Sequence, residues 1–541
     1  MAIAEVASLA REKLVSQWPF FLTTVLALVG AWLLQQTIFK FDALSKIPLA
    51  GSDITDDNKR REHFLANAKT MYGKAYEILK GLGACRLPTS RESPVILLDT
   101  KFLPELRNVS DEVLDFAAAI DDVMHPEWTG VSARRAIIPH VVMRDLTPGL
   151  GMIAHYAVHL MRLELTVAIG RLNPTVAEEV DLAFQEELPP CKDWTPVLLN
   201  KHLLRIIAKV SGRIFVGPEL CRTEEYIDMS INYTVLLTTA VLDITALSPS
   251  ERKSKAQNLP KVQALQSRQK RAREFLQPLI AARKKAMKED DFQKPDDIMQ
   301  WVLDDGQSKY GEQSIEELTE IQLGLTFAAI HTTSMTTTNA FYCLAVMPEV
   351  RAELREEVRT VLKEYGTFTT AALQKMKKLD SFMREVMRVY PLSWGTFQRK
   401  VHKDVVLSNG QVLPAGCVIE VASYNSAHDP ELVSNPKEFD PYRSYRQREQ
   451  QELQGMQHAA AAAANQMVSV STTSLTFGYG RHSCPGRFFA ANEIKMIIGR
   501  AVLDYEFKNV DGSMERYPNL LIAESNTPDP TRELLFKRIA V

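Results

Sequence analysis

The chain has 541 residues, with 64 Lys and Arg against 66 Asp and Glu, so its formal net charge is −2. This balance argues against a protein that coats nucleic acid and against an acidic disordered tail, and we expect no nucleic-acid partner. The 45% hydrophobic content can fill a large core. At roughly 150 residues per domain the length predicts three or four domains, yet no suitable linker is visible.

The six cysteines are too few for a disulfide scaffold, and no two of them form a C-x-x-C pair that would indicate a zinc site. A reducing compartment fits this usage. In such a compartment at least one thiol can be kept for chemistry.

An uncharged apolar run extends from Trp18 to Phe39. A spanning helix needs about 20 residues of this kind, so the run predicts a transmembrane helix at about residues 18–38. A cleaved signal peptide is the alternative, but no small-residue cleavage site follows the run. Basic residues are more frequent after the run than before it, which places the C-terminal part in the cytoplasm. Residues 47–51 are interpreted as a stiff connector.

The pattern from about residue 60 to 400 is mostly helical, and residues 401–424 change to short strands with turns between them. Residues 446–474 are rich in Gln, Glu and Arg and then in Ala, and they are predicted to be a low-complexity surface insertion. Residues 252–288 hold 12 basic residues and one acid. This segment is either a solvated helix face or a docking surface for an acidic partner or an anionic membrane.

A long buried helix is predicted after the capping box from Ser314 to Glu317. No charged residue occurs between Glu320 and Glu349. The many hydroxyl and amide side chains of this run would be costly in lipid, so the helix is expected to cross a large globule. Several threonines can bond back to helix carbonyls, but the polar cluster at residues 331–333 exceeds what a core needs.

Two further patterns concern charge pairing and a cysteine. Glu385 and Arg388 share one helix face, and Arg443 follows beside rigid prolines, so that one carboxylate could accept from two guanidinium groups. Cys484 lies in F-G-Y-G-R-H-S-C-P-G just before an amphipathic helix, whose N-terminus favours a thiolate. A nucleophilic Cys–His enzyme would also use such a cysteine, but it gives no reason for the surrounding aromatic and glycines. Those glycines, which allow close approach to a flat group, are Gly478, Gly480 and Gly486.

The motifs F-x-x-G-x-(R/H)-x-C-x-G, E-x-x-R, P-x-x-F-x-P-x-R and a threonine-bearing central helix occur here in the order typical of cytochrome P450 monooxygenases, which the chain resembles. The resemblance implies a mainly α (α+β) fold, with one large helix-rich domain and small β-sheets over residues 46–541. The N-terminal anchor and connector then occupy residues 1–45. The implied cofactor is haem b (iron protoporphyrin IX), with Cys484 as the axial ligand of the iron.

The resemblance also assigns the other site residues. His482 and Arg399 would hold haem propionates, and Phe477 would pack beside the loop. Thr332 aligns with the threonine that helps deliver protons in the oxygen-binding groove. The remaining members are Ala328 in that groove and the structural triad behind the haem, Glu385, Arg388 and Arg443.

Three positions depart from the family pattern. The residue before the threonine is usually acidic, whereas here it is His331, which could relay protons in its place. Ala329 replaces a usual glycine. The W-x-x-x-R pattern is incomplete because Ser132, and not an arginine, stands four residues after Trp128. The propionate contact that this arginine makes in the family therefore stays unassigned.

The implied enzyme is an oxidoreductase that inserts one atom of O2 into an apolar small molecule by hydroxylation or epoxidation. Its electrons would come from NADPH through NADPH-cytochrome P450 reductase. The stretch A-A-I-H-T-T-S is similar to fungal members that oxidise terpenoids and related secondary metabolites. The anchor implies the endoplasmic reticulum membrane, contact with membrane lipid and a cytosolic catalytic domain. The alternatives are a haem-thiolate peroxygenase, isomerase or dehydratase, and a tethered haem protein without catalysis.

Overall fold

The computed structural model describes residues 22–31, 43–147, 170–307, 310–453 and 464–539. In the predicted transmembrane run, Leu22–Ala31 form an exposed apolar helix. The rest of that run, and residues 454–463 of the predicted insertion, lie outside the described residues.

The longer helices of the globular part follow one another as α1 Asp57–Leu82, α2 Phe116–Met124, α3 Leu172–Glu187, α4 Leu199–Phe215, α5 Glu224–Ala246, α6 Pro260–Ala286, α7 Ile315–Ala345, α8 Pro348–Tyr365, α9 Lys377–Val389, α10 Arg443–Leu453 and α11 Arg487–Asp504. Short helices occur between them at Leu103–Leu106, Pro126–Thr129, Ile137–Val141, Pro249–Lys255, Ile298–Asp304, Thr370–Lys375 and Ser423–Ala427.

The strands are short and form small sheets. They are β1 Ala84–Leu87, β2 Val95–Leu98, β3 Leu114–Asp115, β4 Thr195–Leu198, β5 Thr396–Val401, β6 Val405–Val406, β7 Val412–Leu413, β8 Val418–Val421, β9 Tyr505–Asn509, β10 Asn519–Ile522, β11 Ser525–Pro528 and β12 Glu533–Arg538. The largest sheet has the order β1-β2-β8-β5-β3, in which only the β2–β8 pair is parallel. The other sheets are β4-β12-β9 and the hairpins β6–β7 and β10–β11. The strands predicted within residues 401–424 are therefore confirmed.

Helix α7 crosses the middle of the fold, as its uncharged sequence predicts. It begins at the predicted capping box, in which Ser314 Oγ accepts from the Glu317 amide at 3.2 Å and Glu317 Oε2 accepts from the Ser314 amide at 2.9 Å. It packs against α4, α5, α6, α9 and α11. The back-bonding is also confirmed, since the hydroxyls of Thr337 and Thr338 donate to carbonyls four residues earlier at 2.7 and 2.8 Å.

Residues 47–51 were interpreted as a stiff connector before the folded domain. That interpretation was wrong, because these residues pack into the domain itself. Ile47 and Ala50 are buried. The Arg86 amide donates to the Pro48 carbonyl at 2.7 Å, and the Ala50 amide donates to the Arg86 carbonyl at 3.0 Å. The segment therefore adds to the edge of the large sheet beside β1, because its apolar side chains are buried there.

Helix α5 is the one helix among the described residues that is long and apolar enough to cross a membrane. It packs against α4, α6 and α7, and many of its residues are buried between them. Its apolar composition therefore has an explanation within the globule.

The basic segment at residues 252–288 is largely neutralised by acidic side chains. Nine of its twelve basic residues form ion pairs, which favours a solvated, internally paired helix face over a docking surface. The pairs are Arg252–Glu92, Lys255–Glu251, Lys261–Asp243, Arg268–Asp228, Lys270–Glu274, Arg271–Glu225, Arg273–Glu316, Arg283–Asp297 and Lys284–Glu312.

A buried acid on α11 gives the fold a testable pH dependence. Glu493 Oε1 accepts from Ser211 Oγ of α4 at 2.9 Å, while Oε2 has no partner among the described residues. Burial raises the pKa of Glu493 to about 8, and the Ser211 bond opposes this shift. Because the folded-state pKa is raised, this group's contribution to stability is complete below the pKa of the unfolded chain. It is lost as pH rises through about 8.

The variant Glu493→Gln imitates the protonated acid, so it should lose this pH dependence. We expect the thermal midpoint of the wild type to fall relative to that of the variant as the pH rises from 4.5 to about 8. Differential scanning fluorimetry at several pH values measures this. Parallel curves for the two proteins would show that Glu493 does not titrate in the folded state.

Candidate active site

The cysteine loop is closed by backbone hydrogen bonds. The Cys484 amide donates to the Phe477 carbonyl at 2.8 Å, and the Gly478 amide donates to the Leu475 carbonyl at 2.8 Å. Gly478 and Gly480 have φ values of 76° and 71°, which favour glycine. A Cβ at Gly480 would lie 2.9 Å from Arg107 Cβ, so a larger residue has no room there.

Cys484 is the exposed one of the six cysteines, all of which lie in the described part of the chain, and the other five are buried. Helix α11 begins three residues later at Arg487, with Gly486 as its N-cap. Burial by the surrounding protein raises the pKa of the Cys484 thiol. Hydrogen bonds to the amides of Gly486 and Arg487, together with the Arg487 charge, oppose this shift. The sulfur is thus enclosed by protein and still accessible, as a ligand for a buried metal must be.

Helix α7 has an accessible stripe in an otherwise buried stretch. Ala328 and Thr332 are exposed, while Ile330 and Thr333 are buried. The two exposed residues are one turn apart on the same face, and Thr332 Oγ1 donates to the Ala328 carbonyl at 2.7 Å. Because α7 packs against α11, this stripe and the Cys484 loop belong to adjoining elements.

His331 is bonded to a neighbouring helix. Its Nε2 lies 2.9 Å from the Ile231 carbonyl oxygen of α5. A carbonyl only accepts, so Nε2 carries the hydrogen of this bond. Burial lowers the pKa of the imidazole, and the bond to Ile231 partly opposes this shift. The ring is therefore neutral near pH 7 and engaged with α5.

Arg399 on β5 is a buried cation. It is 5% exposed, and its Nη1 donates to the Gln398 carbonyl at 2.7 Å. No carboxylate lies within ion-pair distance of it in the part of the chain that the structure describes. Burial lowers its pKa to about 10, and nearby Asp111 opposes this shift. A buried guanidinium without an ion-pair partner is costly, so the site fits an anionic group such as a haem propionate.

His482 and Phe116 complete the surroundings of this cation. The two rings stack with centroids 5.3 Å apart, and the Arg399 guanidinium lies 5.4 Å from the centroid of Phe116. His482 Nε2 lies 2.8 Å from Asp111 Oδ1, which also accepts from Arg481 at 2.6 Å. Burial and the charge of Arg399 lower the pKa of His482, whereas Asp111 raises it. The two predicted propionate residues therefore lie close to each other.

The structure brings Glu385, Arg388 and Arg443 together. Arg388 makes a bidentate contact to Glu385 at 2.9 and 2.7 Å, and Arg443 Nε donates to Glu385 Oε2 at 3.2 Å. The Asp440 amide donates to the same carboxylate at 3.0 Å. Glu385 is 3% exposed. The carboxylate thus joins α9 to the start of α10.

Asp111 and Phe116 carry no sequence signal, because they precede the cysteine loop by more than 350 residues and belong to no motif. Two arginines, Arg134 and Arg135, lie near the incomplete W-x-x-x-R pattern, and both form ion pairs with carboxylates. Arg134 pairs with Asp115 at 3.2 Å, and Arg135 pairs with Glu320. Neither is free for a propionate in this structure.

Comparison with known proteins gives a consistent result. The family model described as Cytochrome P450 matches residues 176–531. Cytochrome P450 monooxygenase ATR3 of Stachybotrys chlorohalonatus is 34% identical, over 84% of this chain and 90% of its own length. Cytochrome P450 monooxygenase paxP of Penicillium paxilli is 32% identical, over 89% and 87%. The retinoic acid-bound cyanobacterial CYP120A1 has a TM-score of 0.60 at 17% identity, over 86% and 94% of the two chains, and supports the predicted fold.

The Glu385 cluster should be a main contributor to stability. In Glu385→Gln two largely buried guanidinium groups lose their counter-charge. We expect a loss of about 3–5 kcal/mol, the usual cost of breaking a buried ion pair. The effect is measured as the half-life of the holoprotein at a fixed elevated temperature, with the release of haem as the signal.

Arg446→Gln is the matched control. Arg446 pairs with Asp440, which precedes α10, and 57% of the Arg446 side chain is exposed. An exposed pair contributes about 0–1 kcal/mol, so this variant should resemble the wild type. Equal half-lives for the Glu385→Gln variant and the wild type would contradict the assignment.

Proposed function

The chain belongs to the cytochrome P450 family, and on that premise we propose that the cysteine loop and helix α7 form the haem site in which it oxidises an apolar small molecule. As a family member it is a cytochrome P450 monooxygenase, with haem b as its cofactor. The observation that carries the site assignment is Cys484, an accessible thiol just before α11, because α11 packs against the helix that carries the accessible stripe, α7.

The residues that would hold the haem surround this position. Cys484 Sγ would ligate the iron, with the amides of Gly486 and Arg487 stabilising the anionic sulfur. Arg399 and His482 would hold propionates, and the triad of Glu385, Arg388 and Arg443 would support the loop from behind. The loop residues that would form the cradle are Phe477, Gly478, Gly480 and Gly486. When bound, the haem supplies the activation of O2 from which one atom enters the substrate.

Thr332 would handle protons at this site. Its hydroxyl donates to the Ala328 carbonyl, so its oxygen can still accept a proton-bearing partner on the accessible side. Ala328 leaves space beside it, because its side chain is a single methyl group. The sequence also predicts that His331 relays protons. The contact of His331 with the Ile231 carbonyl favours a positioning role instead.

We propose a terpenoid or related secondary metabolite as the substrate. The support is the A-A-I-H-T-T-S stretch of α7 and the likeness to fungal monooxygenases. NADPH-cytochrome P450 reductase would supply the electrons. The exposed apolar helix Leu22–Ala31 is consistent with an anchor that places the enzyme at the endoplasmic reticulum membrane, in contact with lipid.

The test is co-expression with a reductase and feeding of a terpenoid panel, read by mass spectrometry. Products carrying one additional oxygen atom, formed only with NADPH and reductase, would support the proposal. Turnover with peroxide alone, or rearrangement without oxygen gain, would instead indicate a peroxygenase, isomerase or dehydratase. Full haem loading with no turnover of the panel would favour a haem protein without catalysis.

Cys484→Ala should abolish the red-shifted Soret band that thiolate-ligated haem shows after reduction and CO treatment, because the other cysteines are buried elsewhere. The difference spectrum of purified protein measures this. Cys85→Ala is the control and should keep the band. A retained band in the Cys484 variant would overturn the ligand assignment.

Thr332→Ala should lower product formed per NADPH by about 100-fold, the lower range for a positioned proton-transfer group. The lost electrons should appear as peroxide. Thr336→Ala is the control, because the Thr336 hydroxyl makes the same kind of back-bond one turn later, to the Thr332 carbonyl at 2.9 Å. Unchanged coupling in the Thr332 variant would contradict the role.

A further inference from the structure

The contact between His331 and the Ile231 carbonyl joins the two helices that carry it. Helix α5 packs on α7, and this hydrogen bond lies beside the accessible stripe at Ala328 and Thr332. A helix carbonyl has a second lone pair, so Ile231 can accept this bond in addition to its helical one. The bond is therefore a cross-link made at no cost to α5.

The geometry separates His331 from its neighbour Thr332. Successive residues on a helix point about 100° apart, because one turn takes 3.6 residues. The imidazole is directed to α5, whereas the Thr332 side chain is on the accessible side. A relay needs a group that can take up and release a proton at Thr332. The imidazole is instead engaged through its Nε2–H with the Ile231 carbonyl of α5.

We propose that His331 is a positioning residue, whose Nε2–H bond to the Ile231 carbonyl ties α5 to α7 and so fixes the position of the accessible stripe that carries Thr332. This inference rests on the proposed function for its effect on turnover. The cross-link itself is a property of the folded chain. His331 thus supplies a fixed point between α5 and the helix that carries the accessible residues Ala328 and Thr332.

Two variants separate positioning from proton relay. Glutamine carries an amide N–H at a similar distance from Cα and does not titrate, so His331→Gln should keep the cross-link and lose any relay. His331→Leu fills a similar volume without a donor. In holoprotein His331→Leu we expect amide hydrogen exchange in Glu224–Ala246 to rise about three- to tenfold, the range that one hydrogen bond allows. His331→Gln should stay within about twofold of the wild type.

Coupling is measured in parallel with reductase, NADPH and a terpenoid that the wild type oxidises. His331→Gln should keep the wild-type share of electrons in product, and His331→Leu should raise the KM. If His331→Gln leaks peroxide as Thr332→Ala does, the residue is a relay and the proposal falls. It also falls if His331→Leu leaves exchange in α5 unchanged.

Gln322→Leu is the matched control for the exchange measurement. Gln322 also lies on α7, and its Nε2 donates to the Phe215 carbonyl at the end of α4 at 3.0 Å. Its loss should speed exchange near Phe215 and leave α5 as in the wild type. If no terpenoid is oxidised, the proposed function fails, while the exchange data still decide whether His331 ties the helices together.

Discussion

One buried carboxylate, Glu385 of α9, holds together the start of α10 and the loop before it. Taking a carboxylate out of water is unfavourable unless its oxygens gain strong partners, and here Arg388, Arg443 and the Asp440 amide supply them. The two guanidinium groups then use their remaining N–H groups on backbone carbonyls of a loop that has little secondary structure of its own. These acceptors are Ala427, Ser434, Asn435, Pro436 and Glu438. Charged groups hold this loop, because its carbonyls accept from Arg388 of α9 and from Arg443 at the start of α10.

Helix α9 carries a second buried acid, Asp380, which bonds to residues on both sides of the predicted insertion and to α11. Asp380 accepts from the Met467 amide at 2.9 Å, from Arg448 of α10 at 3.2 Å and from Lys495 of α11 at 3.2 Å. Arg384, one turn further, donates to the carbonyl of Gln466 at 2.6 Å. Both described ends of the low-complexity stretch are therefore fixed to α9, which also fixes the helix that follows the cysteine loop.

The features that sequence could predict are those whose partners lie within a motif or a few turns of helix. Glu385 and Arg388 are three residues apart, and the glycines around Cys484 follow from backbone geometry alone. Asp111 and Phe116 could not be predicted, because they meet His482 only after a separation of more than 350 residues along the chain. The direction of His331 belongs to the same class, since it depends on where α5 packs and not on the residues beside it. The number of domains expected from the length was wrong for a related reason. Helices α7 and α9 contact segments that are distant along the chain, so the described part of the globule does not divide into independent units.

The surroundings of Cys484 suit the role of iron ligand that we propose for it. Burial disfavours an isolated thiolate, which is why the pKa of the thiol is raised, whereas the amides of Gly486 and Arg487 and the Arg487 charge oppose this shift. Amide donors contribute most when the acceptor is an anion, so these two bonds gain strength once a metal cation favours the deprotonated form. If Cys484 holds the iron as proposed, metal binding and deprotonation would be linked, because a metal binds the thiolate and not the thiol. The N-terminus of α11 adds to the effect only within its first turn, which places the requirement on residues 484–487 and explains why the tight glycine loop must deliver the sulfur to that turn.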